Sequence, residues 1–590
     1  MSKRNIVFHE TLTVSALIGL IIFNREAFFN RKSIALRVME RLFPIDVYRR
    51  GRRISWGDLN VSTGIRRKAY EAAKLDLKAF SGEGIDNNFP SLQSINKRLI
   101  LKKIYFSERY DVHEFYEMAF QFAEENGQLK FKMYIDCYNK NCFEKKAFNK
   151  KISILCQYSF RRFNYILSVI LVPLYILSFI KDNKSNDSLF YKNAIICEVD
   201  QSSTYRMFLE LFKMRNNVYY VAQKHYMKYF TDVEIAENKI VVKGISLTTA
   251  KKIIKLPFEY FNFCLSNFVT ASGYGWLYFH FLKTIVQGYL FTIDAKDSAY
   301  LTFEHLDPTK AVRNELLRLN NNRTIFVPKN NYISSRYLAT EFKFNYDIFC
   351  SPCPCQETIY NLQDAETKIV LHVGIYDSHK ARERDCDFEN RINRLKEFKG
   401  NSIAITICSN GIMDETLRGE VGLMKLACRL ASEHNVKVFI RPKPGEPPLK
   451  YKNFFIDSSA CCDSIMLTGS EYLLSDFLGV TDLFVTSSSS SVTDLCPAGA
   501  EFFSVDFWMD SDQFLWQTVV DGVFISEELA FDKIINWVND EPMGQRFAHT
   551  KRMERLRVHI AYEFNNFEAY KANFHRLLAP YLPIETVIST

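Results

Sequence analysis

The stretch that decides the fold begins with a strand-like apolar run, Asn435-Val-Lys-Val-Phe-Ile-Arg441, which ends in Pro442-Lys443-Pro444. A second apolar run, Asp482-Leu-Phe-Val-Thr486, ends in five serines. A helix-compatible segment then leads to a third apolar run, Glu501-Phe-Phe-Ser-Val-Asp-Phe507. Basic residues thus follow one predicted buried strand. Small hydroxyl side chains follow the next predicted strand and stand at the start of a helix. An open α/β sheet uses this order to hold a phosphate at the carboxyl ends of its strands.

The serine run is suited to binding an anion. Ser491-Val-Thr-Asp494 fits a capping box, and the first turn of a helix carries partial positive charge. Arg441 and Lys443 add full positive charge from the neighbouring strand end. The alternative is a serine-rich loop beside solvated basic residues. The five serines are Ser487, Ser488, Ser489, Ser490 and Ser491.

This order of motifs resembles the nucleotide-binding half of bacterial GT-B transferases that build surface polysaccharides. Those families are the sialyltransferases, the capsule Kdo transferases and the CDP-glycerol glycerophosphotransferases, in which a His-Pro and a Ser-Ser motif bind the phosphate of a cytidine nucleotide. Arg441-Pro442-Lys443-Pro444 stands where the family pattern reads Arg-Pro-His-Pro, and the serine run stands at the Ser-Ser position. Lys443 can bind phosphate as a point charge, but it does not donate a proton at neutral pH as histidine does.

The resemblance implies a metal-independent glycosyltransferase whose nucleotide-activated donor, expected to be CMP-linked, is a co-substrate and not a cofactor. The acceptor would be a surface polysaccharide or a lipid-linked glycan. A CDP-glycerol-type glycerophosphotransferase, a UDP-sugar transferase and a non-catalytic polysaccharide-assembly protein stay open as alternatives. Lys443 in place of histidine favours the non-catalytic alternative. No clear Asp-x-Asp motif of the GT-A kind follows a strand, so no metal site is expected.

Apolar runs elsewhere in the chain alternate with helix-compatible segments, which indicates βαβ units. We therefore expect an α/β fold with two Rossmann-like parallel-sheet domains that face a cleft, as in GT-B enzymes. The Pro-rich Cys350-Ser-Pro-Cys-Pro-Cys355 marks the boundary, and Lys368-Ile-Val-Leu-His-Val-Gly374 is expected to open the second sheet. The expected units are 1–355 with a helical and apolar insertion at about 61–190, a donor-binding domain at 356–530, and helices at 531–590 that pack back on the junction.

Polar residues at predicted strand ends are the candidate site residues. Glycosyl transfer needs a base on the acceptor hydroxyl and charge stabilisation of the leaving phosphate. The acceptor-side and base candidates are Glu10, Asp200, Glu304 and His305. The alternative roles are a helix cap for Glu10, an Asx turn for Asp200 and a surface pair for Glu304 and His305. The donor-side candidates, besides the five serines, are Gly374, Ser409, Asn410, Arg441 and Lys443.

Composition narrows the class of protein and its partners. A length of 590 residues predicts two or three domains. A composition of 47% hydrophobic and 24% charged residues is typical of a folded protein. A net charge of +9 is mild; it suits an anionic donor or an anionic membrane and falls short of the basic face of a nucleic-acid binder. The 14 scattered cysteines and the lack of a secretory signal predict a cytoplasmic protein.

One apolar segment predicts a membrane contact. Residues 163–180 read FNYILSVILVPLYILSFI, with Arg161 and Arg162 on one side and Lys181 on the other. A spanning helix needs about 20 apolar residues, and this run is shorter and is interrupted by Pro173. A buried core helix and a true span are the alternatives to an interfacial helix. The basic flanks favour an interfacial helix and a peripheral location on the inner face of the plasma membrane.

Overall fold

The computed structural model covers the chain with gaps. It describes residues 5–23, 26–32, 34–42, 51–54, 58–59, 64–80, 82, 85, 88–92, 95–127, 130–136, 153–157, 161–183, 190–213, 215–230, 240–243, 245, 247–266, 275–292, 294–303, 308–328, 345–357, 366–376, 386–412, 417–433, 435–443, 446–452, 454, 463–469, 471–486, 491–505, 507, 523–524, 526–540, 543–560, 562, 564 and 566–584.

Three larger sheets follow one another along the chain, and every strand pair in them is parallel. The first sheet has five strands in the order β3-β2-β1-β4-β5. Its strands are β1 (Asn5–Leu12), β2 (Glu26–Lys32), β3 (Gly51–Arg53), β4 (Lys130–Asp136) and β5 (Ser153–Gln157).

The middle sheet has seven strands in the order β14-β13-β12-β11-β7-β8-β9, and a small two-stranded sheet pairs β10 with β6. These strands are β6 (Tyr191–Lys192), β7 (Ile195–Glu198), β8 (Val218–Gln223), β9 (Ile240–Lys243), β10 (Ala295–Lys296), β11 (Ala299–Thr302), β12 (Arg323–Phe326), β13 (Asn345–Ser351) and β14 (Glu366–His372).

The third sheet has six strands in the order β17-β16-β15-β18-β19-β20. In all three sheets the chain starts at a central strand, moves outward on one side, and then returns to the other side of that strand. This is the doubly wound, Rossmann-like order. The strands are β15 (Ile403–Cys408), β16 (Val436–Arg441), β17 (Ile465–Leu467), β18 (Leu483–Thr486), β19 (Phe502–Val505) and β20 (Val523–Phe524).

Helices connect the strands, because a parallel pair cannot be joined by a tight turn. In the N-terminal part they are α1 (Val14–Phe23), α2 (Ile34–Leu42), α3 (Ile65–Ala79), α4 (Lys97–Glu125) and α5 (Arg161–Asn183). In the middle part they are α6 (Ser202–Phe212), α7 (Leu247–Ile253), α8 (Leu256–Ser266), α9 (Gly275–Phe291) and α10 (Pro308–Arg318). In the C-terminal part they are α11 (Phe388–Lys399), α12 (Leu417–Ala431), α13 (Leu449–Lys452), α14 (Leu474–Leu478), α15 (Ser491–Leu495), α16 (Glu527–Asn539), α17 (Gln545–Ile560) and α18 (Phe567–Leu578).

Both faces of the first sheet are covered by helices. Phe28 on β2 packs into a core with residues of α4, whereas its neighbours Ala27 and Phe29 pack with residues of α1 and α2. Successive strand residues point to opposite faces, so the apolar run of β2 fills two cores at once.

The last helix, α18, packs into the core of the middle sheet although it follows the third sheet in sequence. Phe567, Tyr570, Phe574 and Leu578 are buried there together with strand residues of β7 and β11. The chain therefore returns to the middle sheet after completing the third one.

The predicted α/β class and the two Rossmann-like sheets are confirmed by the middle and third sheets. A third parallel sheet was not predicted. The segment expected as an insertion at about 61–190 supplies β4 and β5 to the first sheet. In β4 the lysines at 130 and 132 alternate with apolar residues, which is a strand pattern within a segment expected to be helical.

The strand Glu366–His372 does not open the third sheet as predicted. It is β14, which pairs with β13 at the edge of the middle sheet. The Pro-rich segment thus precedes one further edge strand, and β15 is the first strand of the third sheet. Along β14 the described side chains are mostly half-buried or exposed, as an edge position allows. The domain boundaries themselves stay predictions.

The docking of α18 generates a stability prediction. Phe574 is fully buried and its ring lies 6.0 Å from that of Phe212, so Phe574→Ala should cost about 3–5 kcal/mol of unfolding free energy. Urea unfolding, followed by hydrogen exchange in peptides that contain β7 and β11, measures this. Phe547→Ala is the matched control because Phe547 is 69% exposed on α17. Equal losses in the two variants would contradict the docking of α18.

Candidate functional site

The third sheet brings two of the predicted motifs to one edge. Cys408, the last residue of β15, is in register with Arg441 on β16 and with Thr486 on β18. Neighbouring strands lie about 4.8 Å apart, so the basic motif and the start of the serine run are separated only by the end of β15. The chain reverses its direction of winding between β15 and β18, where open α/β sheets bind ligands.

A tight loop follows β15 and lies against the loop that follows β16. Ser409 N–H donates to the carbonyl oxygen of Arg441 over 3.0 Å. Gly411 has a φ of 100°, and a Cβ placed there would lie 2.8 Å from Lys443 Cδ. Any larger residue would therefore strain the backbone and displace the Lys443 side chain, so the glycine fixes how closely the two loops approach.

Short hydrogen bonds beneath this loop connect two carboxyl groups through two hydroxyls. Ser409 Oγ lies 2.6 Å from Glu420 Oε2 and 2.7 Å from the hydroxyl of Tyr451. The Tyr451 hydroxyl lies 2.6 Å from Glu446 Oε2. Asn410 N–H donates to Glu420 Oε1 over 2.9 Å, so the carboxyl groups also hold the loop backbone.

In this row the Ser409 hydroxyl donates to Glu420 and the Tyr451 hydroxyl donates to Glu446. Burial raises the pKa of Glu420 to about 7, although the Ser409 and Asn410 hydrogen bonds oppose this. Burial acts in the same direction on Glu446. Hydrogen bonds from Tyr451 and Ile412 N–H and the charge of Lys450 outweigh it and lower the pKa of Glu446. Of the two carboxyl groups, Glu420 is therefore the one that titrates near neutral pH.

Positive charge with spare hydrogen-bonding capacity lies above this network. Arg441 is half-buried, and within the described part of the chain its buried Nε has no acceptor. Burial raises the pKa of the Cys408 thiol to about 11, while Arg441 opposes the rise and Asp494 adds to it, which places both charges near this strand end. Lys443 is exposed and has no ion-pair partner among the described residues. Such a pair of cations suits an anionic ligand.

The serine run is described only at its last residue. Ser487, Ser488, Ser489 and Ser490 lie outside the described residues. The hydroxyl of Ser491 lies 3.0 Å from that of Thr486, so it joins the end of β18 to the start of α15. The helix α15 has only five residues, so it contributes little dipole of its own.

The corresponding edge of the middle sheet carries a buried ion network that the sequence analysis missed. Glu198 ends β7 and accepts hydrogen bonds from Thr302 Oγ1 on the adjacent β11 over 2.8 Å and from Lys310 Nζ over 3.0 Å. It also accepts one from Arg313 Nη1 over 2.5 Å. Burial alone would lower the pKa of Arg313, but the hydrogen bond to Tyr346 and the carboxylate of Glu198 hold it above its usual value. The network ties α10 to the strand ends on either side of the switch point.

The predicted acceptor-side residues are dispersed. Asp200 directly follows β7, and its Oδ1 accepts a hydrogen bond from Thr204 Oγ1 over 2.7 Å at the start of α6. Glu304 and His305, which follow β11, lie outside the described residues. Glu10 lies within β1 of the first sheet and accepts a 2.6 Å hydrogen bond from Tyr116. The structure thus assigns Glu10 to a different sheet from Asp200.

Gly374 is placed differently from the prediction. It follows β14 at the edge of the middle sheet, where its N–H donates to Ser351 O over 3.2 Å. It therefore belongs to a different sheet from Ser409, Asn410, Arg441 and Lys443, which the third sheet does bring together.

Two other features carry no evidence of a site. An open surface cavity of about 580 Å³ lies at the amino ends of β15 and β16, near Ser402 and Lys437, opposite to the edge where α/β sheets bind ligands. Cys350 and Cys353 are buried. Among the described residues, no group of three His, Cys, Asp or Glu side chains is arranged to hold a metal ion.

No protein-family model matches the sequence, and no curated protein matches it. The fold is similar to that of the wall teichoic acid polymerase TagF in a structure with CDPG, with 10% identity over 72% of this chain and 98% of TagF and a TM-score of 0.38. It is also similar to the MnaA–UDP co-structure from S. aureus, with 10% identity over 67% of this chain and 98% of MnaA and a TM-score of 0.41.

Glu420 and Glu198, the buried carboxyl groups at the edges of the third and middle sheets, gave only weak signals in the sequence. Glu420 lies in an amphipathic helix, where a glutamate is ordinarily solvent-exposed, and it is fully buried. Glu198 lies inside the run Ile-Ile-Cys-Glu-Val, where a charge within an otherwise apolar buried strand was the available signal. Tyr451 and Glu446 follow the basic motif closely but gave no pattern of their own.

The raised pKa of Glu420 generates a pH prediction. A carboxyl group whose pKa is raised from 4.5 in the unfolded chain to about 7 in the folded one stabilises the fold at low pH. This contribution is lost as the pH rises from about 4.5 to about 7, and the loss is about 3 kcal/mol.

Glu420→Gln keeps a donor towards Ser409 and an acceptor for Asn410 N–H, so it should remove this pH dependence. Subtracting the unfolding free energies of the variant from those of the wild type at each pH isolates the effect from other titrating groups. A difference that stays constant between these pH values would show that Glu420 is ionised and that the proton lies elsewhere.

Proposed function

We propose that this protein transfers a sugar from a nucleotide-activated donor to a glycan or lipid-linked acceptor, and that the third sheet binds the donor. The observation that carries the proposal is the convergence of Arg441, Lys443 and the Ser409–Gly411 loop at the switch point. Among the described residues, Arg441 Nε has no acceptor there and Lys443 has no ion-pair partner. A nucleotide phosphate would satisfy both cations at once.

The reaction requires little covalent chemistry from the protein. An acceptor hydroxyl oxygen forms a bond to the anomeric carbon, and the bond from that carbon to the donor phosphate oxygen breaks. The leaving nucleotide takes the electron pair, and the hydroxyl proton passes to a base. Arg441 and Lys443 would stabilise the negative charge that develops on the leaving phosphate, which lowers the barrier more than it favours the ground state.

The base is expected at the carboxyl edge of the middle sheet. Asp200 directly follows β7 at this edge. Glu304 and His305 come after the adjacent parallel strand β11 in the sequence and lie outside the described residues. The Glu198 network holds these strand ends in place through Lys310 and Arg313. Glu10, which is buried in the first sheet, is the weakest of the four base candidates.

The donor is expected to be CMP-linked, and a UDP-sugar or a CDP-glycerol-type donor would use the same cations. With CDP-glycerol, the acceptor oxygen would attack phosphorus instead of carbon. A lysine at position 443 binds phosphate, but unlike the histidine of the family pattern it does not donate a proton at neutral pH. A non-catalytic protein that binds a nucleotide without turnover is therefore the second candidate function. We place the protein in the cytoplasm, peripheral to the inner membrane face.

Charge removal at the site tests donor binding. Lys443→Ala should lower the affinity for the preferred nucleotide among CMP, CDP, UDP and GDP about tenfold or more, because a charge-assisted contact contributes about 1.5–3 kcal/mol. Thermal shift and calorimetric titration measure this. Lys437→Ala is the matched control, since Lys437 lies at the other end of the same strand β16 and is bonded to Asp463 O. Equal affinity in wild type and Lys443→Ala would reject the donor site.

A second variant separates an enzyme from a non-catalytic binder. Asp200→Asn should reduce turnover about 100-fold or more and leave nucleotide affinity unchanged, because a general base acts only in the chemical step. Product formation from a labelled donor with a membrane-extract acceptor measures turnover. Undiminished turnover would assign the base to the Glu304–His305 segment, and nucleotide binding with no turnover in the wild type would support the non-catalytic alternative.

A further inference from the structure

Helix α5 buries one face and exposes a row of large apolar side chains on the other. Ile170, Leu174 and Leu177 are each more than half exposed, and their spacing of four and three residues puts them on one side of the helix. Val172 and Ile176 on the opposite side are buried. The sequence left both a buried core helix and an interfacial helix open for this segment. Among its described side chains, those on only one face are buried.

Helix α8 repeats this arrangement. Phe258, Phe261 and Leu265 are 73%, 49% and 65% exposed and are spaced by three and four residues. Tyr260 and Phe263 are buried on the other side. The buried faces of α5 and α8 enter the same hydrophobic core, and the two helices pack against each other, so their exposed rows face outward together.

We call these six exposed side chains the apolar face. Single exposed apolar residues are ordinary on a protein surface, but six of them on two adjacent helices indicate a docking surface. Among the described residues, no helix is both long enough and apolar enough to cross a membrane. A partner of the apolar face therefore has to be contacted from one side.

The charge next to the apolar face is positive. Lys251, Lys252 and Lys255 are exposed immediately before α8, and Lys181 is exposed near the end of α5. No ion-pair partner for these four lysines exists in the described part of the chain. The carboxylate of Glu259 on α8 accepts two hydrogen bonds from Ser91, one from its N–H over 3.0 Å and one from its hydroxyl over 2.7 Å. The lysines thus remain available to an anionic partner.

We propose that the apolar face, with its flanking lysines, docks the protein onto an anionic lipid bilayer. Large apolar side chains would enter the boundary between headgroups and acyl chains, and the lysines would contact lipid phosphates. The inference rests on the surface of α5 and α8 and not on the proposed donor site, so each can fail without the other.

Flotation of the full-length protein with phospholipid vesicles tests the proposal. The wild type should float with phosphatidylcholine vesicles that contain about one third phosphatidylserine, and much less with pure phosphatidylcholine. Phe258→Asp combined with Phe261→Asp should lower the partition coefficient about tenfold or more. Lys251→Gln combined with Lys252→Gln should lower it about tenfold and weaken its dependence on salt.

Phe547→Asp is the matched control, since it places the same charge at an exposed phenylalanine of α17 and should leave flotation unchanged. Unaltered thermal unfolding and nucleotide affinity in all variants would show that only the surface has changed. Flotation that is equal in wild type and the double phenylalanine variant would overturn the proposal. Sedimentation of the wild type as a dimer that Phe258→Asp converts to a monomer would also overturn it, because a second copy would then cover the apolar face.

Discussion

The parallel pairing of the strands is the constraint on which the rest of this structure depends. Parallel neighbours need crossover helices, so all carboxyl ends of a sheet emerge at one edge, and the polar loops that follow them gather there. In the third sheet this rule puts Cys408, Arg441 and Thr486 in one row. The cations and the hydroxyls are brought together by the winding of the sheet, although 44 residues separate Arg441 from Thr486. In the middle sheet the same rule makes Glu198 and Thr302 neighbours.

Burial of ionisable groups at both edges shows how the loops are held. A buried ion pair adds little net stability, but loss of one partner is costly, so such groups fix geometry more than they strengthen a fold. At the middle sheet Glu198 is matched by Lys310 and Arg313. At the third sheet burial raises the pKa of Glu420, and its carboxyl group holds the backbone of Asn410 beneath the place where an anion would bind.

The sequence predicted most central strands because apolar runs bounded by turn residues have few other structures available. The prediction from sequence failed where the local residue pattern of a segment differs from its role in the tertiary structure. β4 carries lysines within its alternation, and β14 follows a proline-rich break yet joins the sheet before it. In the site, Arg441 and Lys443 were found because charge at a strand end is a local signal. Glu420 was missed because only packing against β15 makes a helical glutamate buried.

The central claim is that the carboxyl edge of the third sheet binds a nucleotide phosphate, and a crystal structure with bound CMP tests it most directly. The account predicts phosphate oxygens within about 3 Å of Arg441 Nε, with the Lys443 ammonium turned towards them. A nucleotide seated instead at the amino ends of β15 and β16, between Ser402 and Lys437, would contradict the account.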